Sequence, residues 1–138
     1  MTTISNALGS LGIKEWVIRG DEPTSEKEFN ERFRKITGAD ANGLAIESAD
    51  PKDFGTTWKA VSDKKTELIN AEPMRLLRVE RNRLLAETDW MANSDVTLAD
   101  NWKTYRQQLR DLPASASPKL SSDGSLDMSS VTFPTKPS

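Results

Sequence analysis

Cysteine and histidine are both absent from this chain of 138 residues. Without a thiolate or an imidazole, the chain lacks the usual ligands of zinc and haem, a cysteine nucleophile, a histidine general base and any disulfide. We therefore expect no metal, no cofactor and no catalytic residue. These absences favour an interaction or structural protein over an enzyme.

Long apolar runs and an excess of positive charge are missing as well. Hydrophobic residues make up 36% of the chain, and 19 basic against 21 acidic residues give a net charge of -2. This balance allows only a modest core and provides no basic surface for a phosphate backbone, so we expect no nucleic-acid partner. The N-terminus is too polar for a secretion signal and no stretch approaches a membrane-spanning length, so we also expect a soluble protein with no membrane partner.

Residues 1–55 carry the patterns of a small α+β unit with two short strands. Apolar residues at helical spacing near the N-terminus predict one or two helical turns that stop at Gly9 or Gly12. β-favouring residues at 15–19 predict a strand, and residues 44–47 predict a second strand beside it. Between the strands, Ser25 and Glu28 form a capping-box pattern, so we predict a helix over residues 26–36.

Residues 56–113 predict a helical region that opens with a central helix. Apolar residues recur with helical period from Thr57 to about Ala71. We expect a break near Pro73, because proline lacks an N–H group and clashes with the carbonyl four residues earlier.

Residues 73–113 predict a helical hairpin joined by a turn that contains Trp90. Its second helix should begin at a capping box of Thr97 and Asp100 and end at Pro113. Apolar side chains at helical spacing form either the hairpin core or a partner interface, and the pattern leaves both alternatives open. These residues are Leu84, Leu85, Trp90, Trp102, Tyr105 and Leu109.

Residues 114–138 are rich in Ser and Pro and cannot bury a core of their own, so we predict an extended arm. The expected partner contacts lie on this arm and on the charged side of the hairpin. They are Arg106, Arg110, Leu126, Val131 and Phe133. For the two arginines, the alternatives are pairing inside the hairpin with acidic residues such as Asp89, or plain solvation.

Together these patterns predict an α+β, mainly α fold. It comprises a small N-terminal unit with two short strands, a central helix, a C-terminal helical hairpin and an extended C-terminal arm.

Two stretches of the hairpin resemble the bacteriophage tail assembly chaperone domain family. Residues 78–90 read R-V-E-R-N-R-L-L-A-E-T-D-W, and residues 102–113 read W-K-T-Y-R-Q-Q-L-R-D-L-P. The family shares R-x-x-R-x-x-L-L-A-x-T-D-W at a helix end and W-x-x-Y-R-Q-x-L-R-D-x-P in a second helix. The closing V-T-F-P-T-K-P at 131–137 also resembles the family's ending, with Phe where Trp is commoner, whereas residues 91–101 lack the family's Pro-rich turn.

The resemblance implies a non-enzymatic bacteriophage tail protein that binds other tail, baseplate or tail-fibre proteins. It implies a role in tail assembly and retention as a virion structural component, with a transient chaperone that is absent from the virion as the alternative. The implied location is the virion tail, and the host cytoplasm during assembly. A homo-oligomer is a further partner option.

A carboxylate-based glycan hydrolase of the tail is a remote alternative, since two acidic side chains can act as acid and base on a sugar. Asp50 and Asp53 are candidates for such a pair. Any acidic chain contains similar pairs, however, and a small core hardly provides the deep cleft that this chemistry needs.

Overall fold

The computed structural model describes residues 2–93 and 95–138. Within this part of the chain there are four α-helices, namely α1 (Ile4–Ser10), α2 (Glu26–Arg32), α3 (Trp58–Ala86) and α4 (Asp100–Ser115). Three strands, β1 (Trp16–Ile18), β2 (Phe33–Ala39) and β3 (Ala45–Ser48), form one antiparallel sheet in the order β1-β2-β3. With 51% of the residues helical, the fold is α+β and mainly α, as predicted.

The chain forms two compact units. The N-terminal unit ends at Asn70, the C-terminal unit is Ala71–Ser138, and α3 contributes residues to both. Short 3-10 helices lie at Pro51–Asp53 in the first unit and at Asp89–Ala92 and Met128–Ser130 in the second. Over residues 2–93 and 95–138, none of the helices combines the length and the apolar character that a bilayer-spanning segment requires.

Aromatic rings dominate the core of the N-terminal unit. Phe29 of α2 stacks on Phe33 with ring centroids 4.8 Å apart, and Phe54 meets Phe33 edge-on at 4.7 Å. The ring centroid of Trp58, at the start of α3, lies 5.7 Å from that of Phe29. The fully buried members of this cluster are Ile4, Ala7, Leu8, Phe29, Phe33, Phe54 and Val61. Because each ring buries a large apolar area, the cluster joins α1, α2 and the sheet into one unit.

The predicted helix over residues 26–36 is wrong beyond Arg32. The Ser25 hydroxyl accepts a hydrogen bond from the Glu28 N–H at 3.2 Å, so the predicted N-cap is present. From Phe33, however, the chain continues as β2, which pairs with β1 on one side and β3 on the other. This pairing satisfies the backbone groups of the strand, and it still leaves Phe33 stacked on Phe29.

The predicted second strand is present as β3, but it pairs with β2 and not with β1. A tight turn precedes it, in which the Asp40 carboxylate accepts from the N–H groups of Asn42 at 2.8 Å and Leu44 at 3.0 Å. Gly43 has a φ of +79°, a left-handed conformation that glycine adopts without steric cost. The turn brings β3 back beside the strand that immediately precedes it, which leaves β1 on the opposite edge.

Helix α3 runs through Pro73, so the predicted break there is wrong. A proline inside a helix loses the hydrogen bond to the carbonyl four residues earlier, here that of Ile69, at a cost of about 3 kcal/mol. The other backbone hydrogen bonds of this 29-residue helix carry it across the position, because helix propagation is cooperative.

Helix α4 also differs at both ends from its prediction. It begins at Asp100 with Ala99 as the N-cap and no side-chain cap, so the predicted capping box of Thr97 and Asp100 is absent. At its other end it continues past Pro113 to Ser115. The first two residues of the predicted arm therefore belong to the helix.

Substituting Phe29→Ala should strongly weaken the N-terminal unit. The change removes a buried ring, which we expect to lower the free energy of unfolding by about 3–5 kcal/mol. The matched control is Leu44→Ala, because Leu44 is also a large apolar residue but is 65% exposed. For this control we expect a change within about 0.5 kcal/mol. Urea unfolding followed through the amide NMR signals of β2 measures both, and equal effects would contradict the role given to the aromatic cluster.

Candidate protein-interaction surface

The C-terminal end of α3 is closed by a side chain from α4. Arg106 donates hydrogen bonds from Nη1 to the Leu85 carbonyl at 3.0 Å and to the Thr88 hydroxyl at 2.5 Å. Its Nη2 donates to Asp89 Oδ1 at 3.1 Å. Thr88 is only 1% exposed, and its own hydroxyl donates to the same Leu85 carbonyl at 3.0 Å.

This arrangement meets a specific need of a helix end. The last carbonyl groups of a helix have no partner within the helix and carry a partial negative charge. The guanidinium of Arg106, whose side chain is 14% exposed, supplies both the donors and the positive charge. Asp89 is mostly exposed, so its ion pair contributes less than the bonds to Leu85 and Thr88. Arg106 thus pairs internally with Asp89 in the structure, and a partner contact for this residue stays a prediction.

One side of α4 faces inward. Tyr105, Leu109 and Leu112 are buried, and the Trp102 ring meets the Tyr105 ring edge-on at 5.9 Å. Burial raises the pKa of the Tyr105 phenol, and the negative charge of Glu87 raises it further. The phenol therefore stays protonated at neutral pH, and this face of the helix carries no ionised group at that position.

The arm folds back on the two helices. Val131 is 8% exposed and shares a buried cluster with Leu77 of α3 and Leu112 of α4. Partly buried residues complete this cluster, namely Met74, Ala116, Leu126 and Phe133. Near the end of the chain, Lys136 forms an ion pair with Glu87 at 3.6 Å. In this structure the arm therefore supplies part of the core of the C-terminal unit.

An open cleft of about 540 Å³ lies between α4 and residues 132–135 of the arm. Its α4 side is formed by Gln108, Asp111, Leu112 and Ser115. The Asp111 carboxylate accepts a hydrogen bond from Gln107 Nε2 at 2.9 Å. The lining of the cleft thus combines the apolar side chains of Leu112 and Phe133 with the carboxylate of Asp111.

The residues predicted as hairpin core or partner interface differ in how far they are buried. Tyr105 and Leu109 are buried, whereas Leu84, Leu85 and Trp102 are half-buried. Trp90, in the turn after α3, is 57% exposed and so lies outside the buried core. Its assignment to a partner interface stays a prediction.

The residues predicted as partner contacts also differ in exposure. Arg110 is exposed and donates to the side chain of Gln107 at 2.8 Å. Leu126 and Phe133 are half-buried and keep part of their surface accessible. Arg106 and Val131, by contrast, are largely taken up inside the C-terminal unit.

Two residues that organise this unit were missing from the sequence-based sets. Thr88 holds the end of α3, and Leu77 forms the buried cluster with Leu112 and Val131. A hydroxyl residue just after a helix and a leucine on the apolar stripe of α3 were the available signals. Neither signal identifies its partner, because Arg106 and Val131 lie far along the chain.

The two carboxylates considered for sugar hydrolysis have local structural partners. Asp50 accepts from the Lys52 N–H at 3.0 Å and caps the short helix Pro51–Asp53. Asp53 accepts a hydrogen bond from the Ser48 hydroxyl at 2.6 Å. Both residues are exposed. Among the described residues, no group of acidic side chains has the arrangement of a metal site.

These features define a mainly helical protein whose C-terminal unit is a helix pair closed by an arginine and covered by an arm. Residues 74–138 match the family model described as phage tail assembly chaperone protein, which confirms the resemblance predicted for this part of the chain. The match covers nearly all of the C-terminal unit. Neither the comparison with curated proteins nor that with solved structures gave a match. The family suggests a role in tail assembly, interaction with other phage tail proteins and no enzymatic activity.

Substituting Arg106→Ala should destabilise the C-terminal unit. Hydrogen bonds to charged groups contribute about 1.5–3 kcal/mol each, so we expect a loss of about 2–3 kcal/mol after partial rescue by water. Arg106→Lys should recover little, because an ammonium group cannot span the two acceptors as a guanidinium does. Arg110→Ala is the matched control, since that side chain is exposed, and should change stability by less than about 0.5 kcal/mol. Amide hydrogen exchange in α4 measures the change. Unchanged exchange in Arg106→Ala would refute the stabilising role given to the hydrogen bonds of Arg106 with Leu85 and Thr88.

Proposed function

We propose that this chain is a non-enzymatic bacteriophage tail protein that binds other tail, baseplate or tail-fibre components. On this proposal it takes part in tail assembly in the host cytoplasm and remains in the finished tail as a virion structural component. The observation that carries the proposal is the family match over residues 74–138, which falls on one compact unit of the fold.

The contact surface that we propose lies on the outer side of the C-terminal unit. Trp90 is the exposed aromatic residue there, and large rigid side chains dominate the energetics of protein interfaces. Arg110, the accessible parts of Leu126 and Phe133, and the cleft beside residues 132–135 extend the surface. This surface mixes apolar, basic and acidic groups, as expected for a specific protein interface.

Retention in the virion is favoured over a transient role because the arm covers apolar residues of this unit. A chaperone that holds incompletely assembled partners needs accessible apolar area. Here the arm covers Leu77 and Leu112. The exposed large apolar residues in the described part of the unit are Val79, Trp90 and Met128. Such limited exposure leaves little apolar area for holding a variety of unassembled partners.

Mass spectrometry of purified particles tests the location. We expect peptides of this chain at a defined copy number per virion, because a structural component occupies fixed positions. Detection in infected-cell lysate together with absence from washed particles would instead support the transient chaperone.

Substituting Trp90→Ala in the phage genome tests the contact surface. We expect fewer copies of the chain per particle, since truncation of an interface anchor costs about 2 kcal/mol or more, equivalent to a factor of about 30 in affinity. Leu44→Ala is the control, because it also truncates a large exposed apolar side chain but lies in the N-terminal unit. Unchanged incorporation of Trp90→Ala would remove Trp90 from the proposed surface.

A further inference from the structure

The terminal segment, residues 131–138, is held to the helices by side chains. Val131 and Phe133 pack against the arm groove, which we define as Met74 and Leu77 of α3 with Leu112 of α4. Lys136 adds its ion pair with Glu87. Within residues 2–93 and 95–138, no hydrogen bond involves the backbone of residues 132–138. No backbone ladder therefore has to break when the segment leaves the groove.

The part of the arm that precedes this segment makes its hydrogen bonds within itself, while Leu126 packs against the buried cluster of Leu77, Leu112 and Val131. The Asp127 N–H donates to the Lys119 carbonyl at 2.8 Å, and the Lys119 N–H donates to the Ser130 hydroxyl at 2.9 Å. Leu120 and Leu126 form an isolated β-bridge inside the same loop. The hydrogen bonds of residues 119–131 thus stay within the loop, and residues 116–118 connect it to the end of α4.

We infer that the arm groove is an interaction site for a second copy of this chain, occupied by the terminal segment of that copy. Two copies exchange arms, so that Val131 and Phe133 of each lie in the groove of the other. Ala116 stays with α4 through its N–H bond to the Leu112 carbonyl, so residues 117–118 serve as the hinge. The loop of residues 119–131 moves with the segment. The partner copy thereby contributes residues to the core of the site.

The occupant follows from complementarity that the structure already displays. The groove accepts a β-branched side chain, an aromatic ring two residues later and a lysine three residues beyond it, opposite Glu87. A second copy supplies the same groups at the same spacing, so the contacts of the exchanged form equal those of the closed form. The closed form is favoured by effective concentration alone, which is in the millimolar range for short linkers. Chains present at a millimolar concentration should therefore exchange arms about as readily as they close on themselves.

Complementation between two full-length variants tests the exchange. Val131→Asp removes the apolar anchor of the arm and leaves the groove, whereas Leu112→Arg blocks the groove and leaves the arm. Each variant alone should be monomeric by light scattering at about 0.1–1 mM, near the effective concentration of a short linker. Their mixture should form a one-to-one heterodimer, because one intact arm then meets one intact groove. A monomeric mixture of two folded variants would overturn the inference.

A second measurement avoids any change to the buried groove. Isotope-labelled Val131→Asp is mixed with excess unlabelled wild type at millimolar concentration, and the NMR signals of Leu77 and Leu112 are followed. We expect them to shift toward their wild-type positions, while unlabelled Val131→Asp as the added chain should cause no shift. Unshifted signals with wild type would refute exchange. This inference does not depend on a tail location, so particle composition and arm exchange can fail separately.

Discussion

Arg106 donates from its guanidinium to the Leu85 carbonyl at the end of α3 and to the Thr88 hydroxyl, and the order of the C-terminal unit follows from these contacts. Once the end of α3 is tied to α4, Leu77 and Leu112 lie in one cluster. Val131 and Phe133 of the arm pack against these two leucines. The arm therefore depends on a polar contact that it does not itself make. A Ser/Pro-rich segment with too few apolar residues for a core of its own becomes ordered by adding two side chains to a core formed by others.

The two units solve the same shortage of apolar residues in different ways. The N-terminal unit concentrates Phe29, Phe33 and Phe54 in one place, where a few large rings bury much of the available apolar area. The C-terminal unit combines single aliphatic residues with charge-assisted hydrogen bonds at a helix end. Directional bonds fix geometry that sparse apolar contacts leave loose.

How much could be predicted from the sequence depended on whether the decisive interaction was local. Helical period located α1, most of α3 and the inward face of α4, because those patterns repeat every turn. The four-residue spacing of Phe29 and Phe33 suited a longer helix, yet the rings stack just as well with Phe33 in a strand whose neighbours lie elsewhere in the chain. The environment of Arg106 was likewise open, since its acceptors lie 17, 18 and 21 residues away and one of them is a backbone carbonyl. Every residue has a backbone carbonyl, so the sequence does not show which carbonyl accepts a hydrogen bond.

The residues through which the family is recognised and the residues free to bind a partner are largely different sets. Thr88, Tyr105 and Arg106 lie in the recognised motifs, and all three are engaged inside the C-terminal unit. Trp90 belongs to the same motif but extends into solvent. A residue that makes such internal contacts can be replaced only by a type that keeps them. An exposed residue is limited only by what a partner requires. The motif residues therefore mainly build the unit, and on the proposed function the choice of partner falls to Trp90, Arg110 and the exposed side of the arm.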